Sequence, residues 1–202
     1  PSPRAILSSL LLGFLLLLVG NGLISVAEQS VDSYIAALLS ASAPILVAVF
    51  DRFLMRKPLS LMRVLGIAGG FVGVALLLHN GQSIGSSLST FILIDLAGVA
   101  VWSFATSLGH RLPVPGDNLV NSGIQMLFTG VVALAGSLLF GPRPAAVIAG
   151  ASLLSALSVL YLAVVGSIAY AAFTYLVSRE PAARVVSYAL VNPVIALLLG
   201  LG

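Results

Sequence analysis

The sequence predicts an all-α polytopic membrane protein, in which apolar helices cross a bilayer several times. Of its 202 residues, 59% are apolar and only 7% are charged, whereas an ordinary soluble domain is about a quarter charged. The mean hydropathy is +1.16. The apolar runs are continuous, while the strands of a membrane β-barrel would be about ten residues long and would alternate in polarity. These observations together favour membrane-spanning helices.

Seven apolar stretches are long enough to span a bilayer, which takes about 20 residues. They are Ala5–Ala27, Ser33–Met55, Leu59–His79, Ser89–Leu112, Asn118–Phe140, Ala151–Val177 and Pro181–Gly202. The segments between them are short and carry turn and charge signals, as in Arg56-Lys57-Pro58 and in the run from Pro113 to Asp117. We number these predicted spans from first to seventh in chain order.

The basic residues predict the direction in which each span crosses the membrane. Lys and Arg beside short loops stay on the cytoplasmic side. With a cytoplasmic N-terminus, Arg143 is the one basic residue among nine that lies outside. The opposite orientation would reverse this distribution. We therefore expect an integral protein of a bacterial-type inner membrane, with the N-terminus of this chain in the cytoplasm.

The composition argues against several kinds of chemistry. The chain has no cysteine, so disulfides and thiolate metal sites are excluded, and we expect no metal and no cofactor. Nucleic-acid binding needs a basic face, but the nine basic residues stand in short clusters between apolar stretches. The string from Gly81 to Gly85 fits the nucleophile elbow of hydrolases, yet that elbow requires a preceding buried strand. We expect no enzymatic activity.

Two spans share a pattern that indicates an internal repeat. The second contains Pro44 and the seventh contains Pro193, each after small residues and before a branched apolar run. The spans before them also match loosely, with Leu18-Val19-Gly20 against Val164-Val165-Gly166. Spans that are five apart cross the membrane in opposite directions, which predicts an inverted repeat with a substrate site near mid-membrane. Because proline kinks a helix, Pro44 and Pro193 are predicted to shape a pair of gating helices.

The same residues carry a resemblance to a known family. The stretches concerned are 31–39 with Ala43-Pro44, 56–60, 66–77, 166–170, 181–185 and 192–198. Their order and spacing resemble the EamA domain of the drug/metabolite transporter superfamily. Where that family often has Gly-Glu after the second span, this chain has Met55-Arg56-Lys57; this difference leaves the fold expectation intact but bears on subfamily and substrate.

The resemblance implies ten helices in two inverted five-helix repeats, of which this chain would hold the third to the ninth. Residues 1–79 would then belong to the first repeat, residues 80–88 to an extracytoplasmic linker, and residues 89–202 to the second repeat. The family exports small metabolites, including amino acids.

Polar and aromatic residues inside the apolar spans predict a substrate path, because a polar side chain that faces lipid is costly. The predicted path residues are Asn21, Tyr34, Ser40, Trp102, Gln125, Tyr170, Tyr188 and Asn192. The aromatic members would suit flat or amphipathic substrates, with cation–π contact as one means of binding. Asp95 lies near the start of the predicted fourth span. It is expected to cap its helix, with proton coupling as the alternative role.

The main hypothesis is an exporter of small metabolites, with amino acids as the leading class, that works by alternating access. Its partners would be a small-molecule substrate and the lipid bilayer, in a monomer or a homodimer. Three alternatives stay open: a carrier of sugars or nucleotide sugars, an intramembrane enzyme, and a membrane scaffold that transports nothing. A nucleotide-sugar carrier would need basic residues in its cavity, and the late candidates, Arg179 and Arg184, are predicted to be cytoplasmic. A scaffold would pair its polar residues with one another and leave no open cavity.

Overall fold

A computed structural model describes residues 1–31, 33–56, 86–141 and 150–191, together with positions 65 and 69. In this part of the chain every regular element is helical, and five helices are long and apolar enough to cross a membrane. They are Pro3–Ala27, Ile35–Leu54, Thr90–Gly109, Asn118–Phe140 and Leu153–Arg179. The protein is therefore an all-α polytopic membrane protein, as the sequence predicts. Apart from positions 65 and 69, the third span lies outside the described residues, as do the last residues of the seventh.

The described spans begin and end close to the predicted boundaries. The fifth helix, Asn118–Phe140, has the predicted bounds, and Asp117 caps it by accepting from the Leu119 amide at 2.8 Å. The fourth helix is Ser86–Gly109, so it begins three residues earlier than predicted and ends three residues earlier. The polar residues at its start, for which the sequence predicts a loop, have a helical backbone.

The second span is broken in the middle. One helix covers Ser33–Ser40 and the next covers Ala43–Met55. Pro44 explains the break, because it has no amide hydrogen to donate to the carbonyl of Ser40. The amides of Ile45 and Leu46 both donate to the Ser42 carbonyl, at 3.0 Å. The predicted kink at Pro44 is thus present as a short break just before the proline.

The first and sixth spans each contain a π-helical segment. In the first span, α-helix Pro3–Gly13 is followed by a π-helix over Phe14–Asn21 and by α-helix Gly22–Ala27. The sixth has α-helix Leu153–Tyr161, π-helix Leu162–Gly166 and α-helix Ser167–Arg179. The two π-helices cover the loosely matching tripeptides of the sequence repeat. Such segments are uncommon and are frequent at functional sites.

The described start of the seventh span is also irregular. It begins with one turn of α-helix, Ala182–Val185, and continues as a 3₁₀-helix over Val186–Leu190. This segment packs against the second span, where Val47, Ala182 and Val186 form a buried cluster. The second and seventh spans, which carry the two prolines of the repeat, are therefore neighbours.

Glycines bring the first span into close contact with the fourth and fifth. A Cβ atom on Gly98 would lie 2.8 Å from Cγ1 of Ile24 and 2.9 Å from the carbonyl oxygen of Gly20. A Cβ atom on Gly13 would lie 2.8 Å from the carbonyl oxygen of Gln125. Close backbone approach at small residues is the usual way in which membrane helices associate. It holds these three spans together around the site described below.

Candidate transport cavity

A central cavity of about 370 Å³ lies between the first, second, fourth, sixth and seventh spans. Five of the predicted path residues line it: Asn21, Ser40, Trp102, Tyr170 and Tyr188. They come from five different spans, so the fold brings together residues that are far apart in the sequence.

The irregular backbone segments meet at this cavity. Asn21 and Gly166, the last residues of the two π-helices, are part of its lining. Ser40 and Ala43, on either side of the break in the second span, line it as well. The 3₁₀-helix contributes Tyr188. In a membrane, non-helical backbone is tolerated where it is buried in protein or lines a cavity, and the position of all these segments agrees with that rule.

Aromatic rings form one side of the central cavity. The rings of Trp102 and Phe173 have centroids 5.0 Å apart and are tilted by 36°. The rings of Tyr170 and Phe173 are 6.1 Å apart and tilted by 31°. Offset aromatic pairs of this kind stabilise one another, so the three rings form a coherent apolar surface. Phe173 is a lining residue that the sequence reasoning missed, because a phenylalanine in an apolar span is usually a packing residue.

The polar groups of the central cavity are neutral. Among the described residues that line it, the polar side chains are the amide of Asn21, the hydroxyls of Ser40, Tyr170 and Tyr188, and the indole of Trp102. None of these described lining residues carries a formal charge. A cavity of this chemistry suits a ligand that is neutral or zwitterionic and has a flat apolar part.

Gln125 belongs to a second cavity of about 220 Å³. This cavity lies between the first, fourth, fifth and sixth spans and includes Asn121, Thr174 and Ser178 in its lining. Gln125 donates from Nε2 to Oδ1 of Asn121 at 2.9 Å and accepts from the hydroxyl of Tyr170. It is therefore connected to the central cavity through Tyr170, although it does not line that cavity. Asn121 is another residue that the sequence reasoning missed.

The chain matches the EamA-like transporter family over residues 1–79 and 89–202. It belongs to that family. Among curated proteins it is similar to YedA of Escherichia coli K12, named as an uncharacterized inner membrane transporter, with 39% identity over the whole chain. It is also 28% identical, over 82% of the chain, to YyaM of Bacillus subtilis, named as an uncharacterized transporter.

The chain spans 64% of the length of YedA and 52% of that of YyaM. No solved structure matches the chain significantly. Membership of the EamA-like family agrees with the resemblance found in the sequence and makes transport the first function to consider for the central cavity.

Asp95 lies deeper in its helix than the sequence predicted. The helix begins at Ser86, which places Asp95 in the third turn, where the predicted role as a helix cap does not fit. Its side chain is fully buried, and neither carboxylate oxygen has a hydrogen-bond partner in the described part of the chain. Val99, one turn further along, lines the central cavity. Asp95 is thus close to the cavity but outside its lining.

Three residues of the predicted site cannot be placed. The side chain of Tyr34, and both Asn192 and Pro193, lie outside the described residues. Pro44 is described, and its role in the break of the second span is clear from the backbone hydrogen bonds given above. The predicted pairing of Pro44 with Pro193 stays a prediction.

Proposed function

We propose that the protein exports small neutral or zwitterionic metabolites, with amino acids as the leading class, through the central cavity. The observation that carries this proposal is the convergence of aromatic rings and uncharged polar groups where the irregular helix segments meet. Membership of the EamA-like transporter family supports transport as the function. The cavity volume of about 370 Å³ lies within the range of small-molecule sites.

The mechanism proposed is alternating access. The first and second spans, from one predicted repeat, and the sixth and seventh, from the other, supply the irregular segments around the cavity. Helices that are already broken or bulged need little further distortion to rock against each other around a fixed site. Lys and Arg residues beside the short loops support a cytoplasmic N-terminus. In that orientation the end of the bundle that carries Arg111 and Arg179 is cytoplasmic, and export would run from there to the opposite end.

The lining chemistry disfavours a nucleotide-sugar carrier. Phosphate groups are bound in proteins by Arg, Lys and clustered backbone amides, and the described lining residues of both cavities include neither Arg nor Lys. A non-transporting scaffold is disfavoured by the central cavity itself, because this open cavity is lined by the polar side chains of Asn21, Ser40 and Tyr188.

Counterflow in liposomes tests the proposed function. Liposomes that contain the full-length protein are preloaded with unlabelled aromatic, aliphatic or charged amino acids, and the accumulation of the matching labelled set is measured. We expect accumulation of the aromatic set and no accumulation of the charged set. Trp102→Ala or Tyr188→Ala should lower the rate about fivefold or more, because each removes a ring that the proposal places against the substrate, a contact worth about 1 kcal/mol or more. Tyr161→Ala, on the exposed face of the sixth span, is the matched control and should leave the rate unchanged.

Asp95 is the proposed coupling residue. A carboxylate inside a membrane span is costly and usually has a functional role, and Asp95 is buried there without a hydrogen-bond partner among the described residues. A pH gradient across the liposome membrane should therefore raise accumulation by the wild-type protein and have no effect on Asp95→Asn. A pH gradient that stimulates both proteins equally excludes Asp95 as the coupling group.

A further inference from the structure

The central and second cavities share a wall. Phe173 lines both of them. On the fourth span, Trp102 lines the central cavity, and Thr106, one turn further on, lines the second. On the other side of this wall, the hydroxyl of Tyr170 donates to Oε1 of Gln125 across the boundary. The two cavities therefore follow one another along the same helices.

A buried hydrogen-bond network holds this wall in place. Gln125 is 1% exposed, and its amide group is engaged at both ends, by Tyr170 at Oε1 and by Asn121 at Nε2. Oδ1 of Asn121 also accepts from the hydroxyl of Ser9, at 2.8 Å. The network thus runs from the first span through the fifth to the sixth. In such apolar surroundings, a broken hydrogen bond is costly unless another partner replaces it.

The second cavity offers several polar groups. Asn121 and Gln125 bring amides to its lining, Thr174 brings a hydroxyl and His110 an imidazole, among leucine and valine side chains. With about 220 Å³ it is smaller than the central cavity, and its described lining residues include neither a tryptophan nor a tyrosine. Its chemistry suits the compact polar end of a substrate rather than a flat apolar part.

We propose that the second cavity is a second substrate station in series with the central one, and that the Tyr170–Gln125 hydrogen bond separates the two. The proposal rests on the proposed transport function. The station takes a compact group that both donates and accepts hydrogen bonds, such as a carboxamide, a hydroxyl or the zwitterionic end of an amino acid. Such a group replaces the Tyr170 hydroxyl at Gln125, so that passage between the cavities leaves no buried amide without a partner.

Cysteine labelling tests the separation of the two cavities without requiring transport. The chain has no cysteine of its own. Ser40→Cys therefore reports on the central cavity and Ser178→Cys on the second. The full-length protein, free of other cysteines, is placed in liposomes, and a membrane-impermeant methanethiosulfonate is added to the side from which Ser178→Cys is labelled.

Loss of the Tyr170 hydroxyl should open the central cavity to that side. Tyr170→Phe should raise the labelling rate of Ser40→Cys about two- to tenfold, the range that corresponds to one net hydrogen bond, and leave that of Ser178→Cys unchanged. Gln125→Met, which keeps the side-chain length, should act in the same direction. Tyr161→Phe is the matched control, since Tyr161 lies in the same span and is 62% exposed. An unchanged rate in both Tyr170→Phe and Gln125→Met, or an equal rise in Tyr161→Phe, overturns the proposal.

Substrate protection tests the second station itself. L-Phenylalanine should slow the labelling of Ser178→Cys in the wild-type background, and labelling that is unaffected by L-phenylalanine overturns the station. The labelling and counterflow results separate the two proposals. Faster labelling in Tyr170→Phe without amino-acid counterflow refutes the proposed substrate alone, whereas normal counterflow with unchanged labelling refutes the separation of the cavities alone.

Discussion

Substitution of Gly13 by alanine tests the close contact between the first and fifth spans. The added Cβ atom would lie 2.8 Å from the carbonyl oxygen and 2.9 Å from the Cα atom of Gln125. Both are backbone atoms, which no rotamer change can move away. An ordinary contact is 3.4–4 Å, so the two helices would have to separate by about 0.5 Å or more, and overpacking of this kind costs about 1–3 kcal/mol.

The same movement would strain the hydrogen bonds that join these spans. The hydroxyl of Thr129 donates to the carbonyl oxygen of Gly13 at 3.0 Å, and the hydroxyl of Ser9 donates to Asn121 at 2.8 Å. Both bonds lengthen if the helices separate. We therefore expect Gly13→Ala to lower the free energy of unfolding and also to raise the labelling of Ser40→Cys, because Gln125 is displaced.

Gly130→Ala is the matched control for this prediction. Gly130 lies in the fifth span, and a Cβ atom there meets no described atom within 4 Å. Alanine gains up to about 1 kcal/mol of helix propensity over glycine at either position, because both glycines are helical. This gain cancels in the comparison, so the two variants should differ by the overpacking cost alone, about 1–3 kcal/mol. Equilibrium unfolding in mixed detergent micelles measures the difference. Equal unfolding free energies for the two variants would show that the first and fifth spans do not approach each other as described.

Two further substitutions test other parts of the fold. Asn121→Ala should lower the free energy of unfolding by about 1–3 kcal/mol, because it leaves the buried amide of Gln125 without its acceptor, whereas the Ser9 hydroxyl can still donate to the Ala5 carbonyl. Asn118→Ala, in the first turn of the same helix, is the comparison, and an equal loss in both would argue against the network. Arg56 has a φ of 53°, which costs a non-glycine residue about 1 kcal/mol or more. Arg56→Gly should therefore be more stable than Arg56→Ala, which loses the same charge but keeps Cβ, and thermal unfolding of the pair in detergent decides whether this backbone conformation is present.

The membrane architecture could be predicted because it depends on features that are local in the sequence. Apolar length identifies spans without any knowledge of their neighbours, and the bounds of Asn118–Phe140 agree with the prediction to the residue. The start of the fourth helix was misplaced because Ser86 and its neighbours are polar, although their backbone is helical. This error of one turn is what led to the expectation that Asp95 caps its helix.

The site was predicted only in part, because a sequence pattern shows which residues share a helix face but not which helices meet. Trp102, Tyr170 and Tyr188 were found as large polar or aromatic residues within apolar spans, and the structure places all of them at the central cavity. Asn121 was missed, although it stands four residues before Gln125 and so lies on the same face. Its importance depends on Ser9, which is more than a hundred residues away and contacts it only in the folded chain.

The irregular helices provide an argument about function that does not depend on any single side chain. In a bilayer, each backbone group without a hydrogen-bond partner costs several kcal/mol, and Pro44 deprives the carbonyl of Ser40 of its usual helical partner. Two π-helices and a 3₁₀-helix reach the same cavity as this break. A scaffold would be more stable with four regular helices in these places, since regular helices satisfy every backbone group internally. A transporter, by contrast, needs backbone that can bend at mid-membrane and polar groups that can exchange partners with a passing substrate. The concentration of irregular segments around one cavity therefore favours the proposed transport function over a static scaffold.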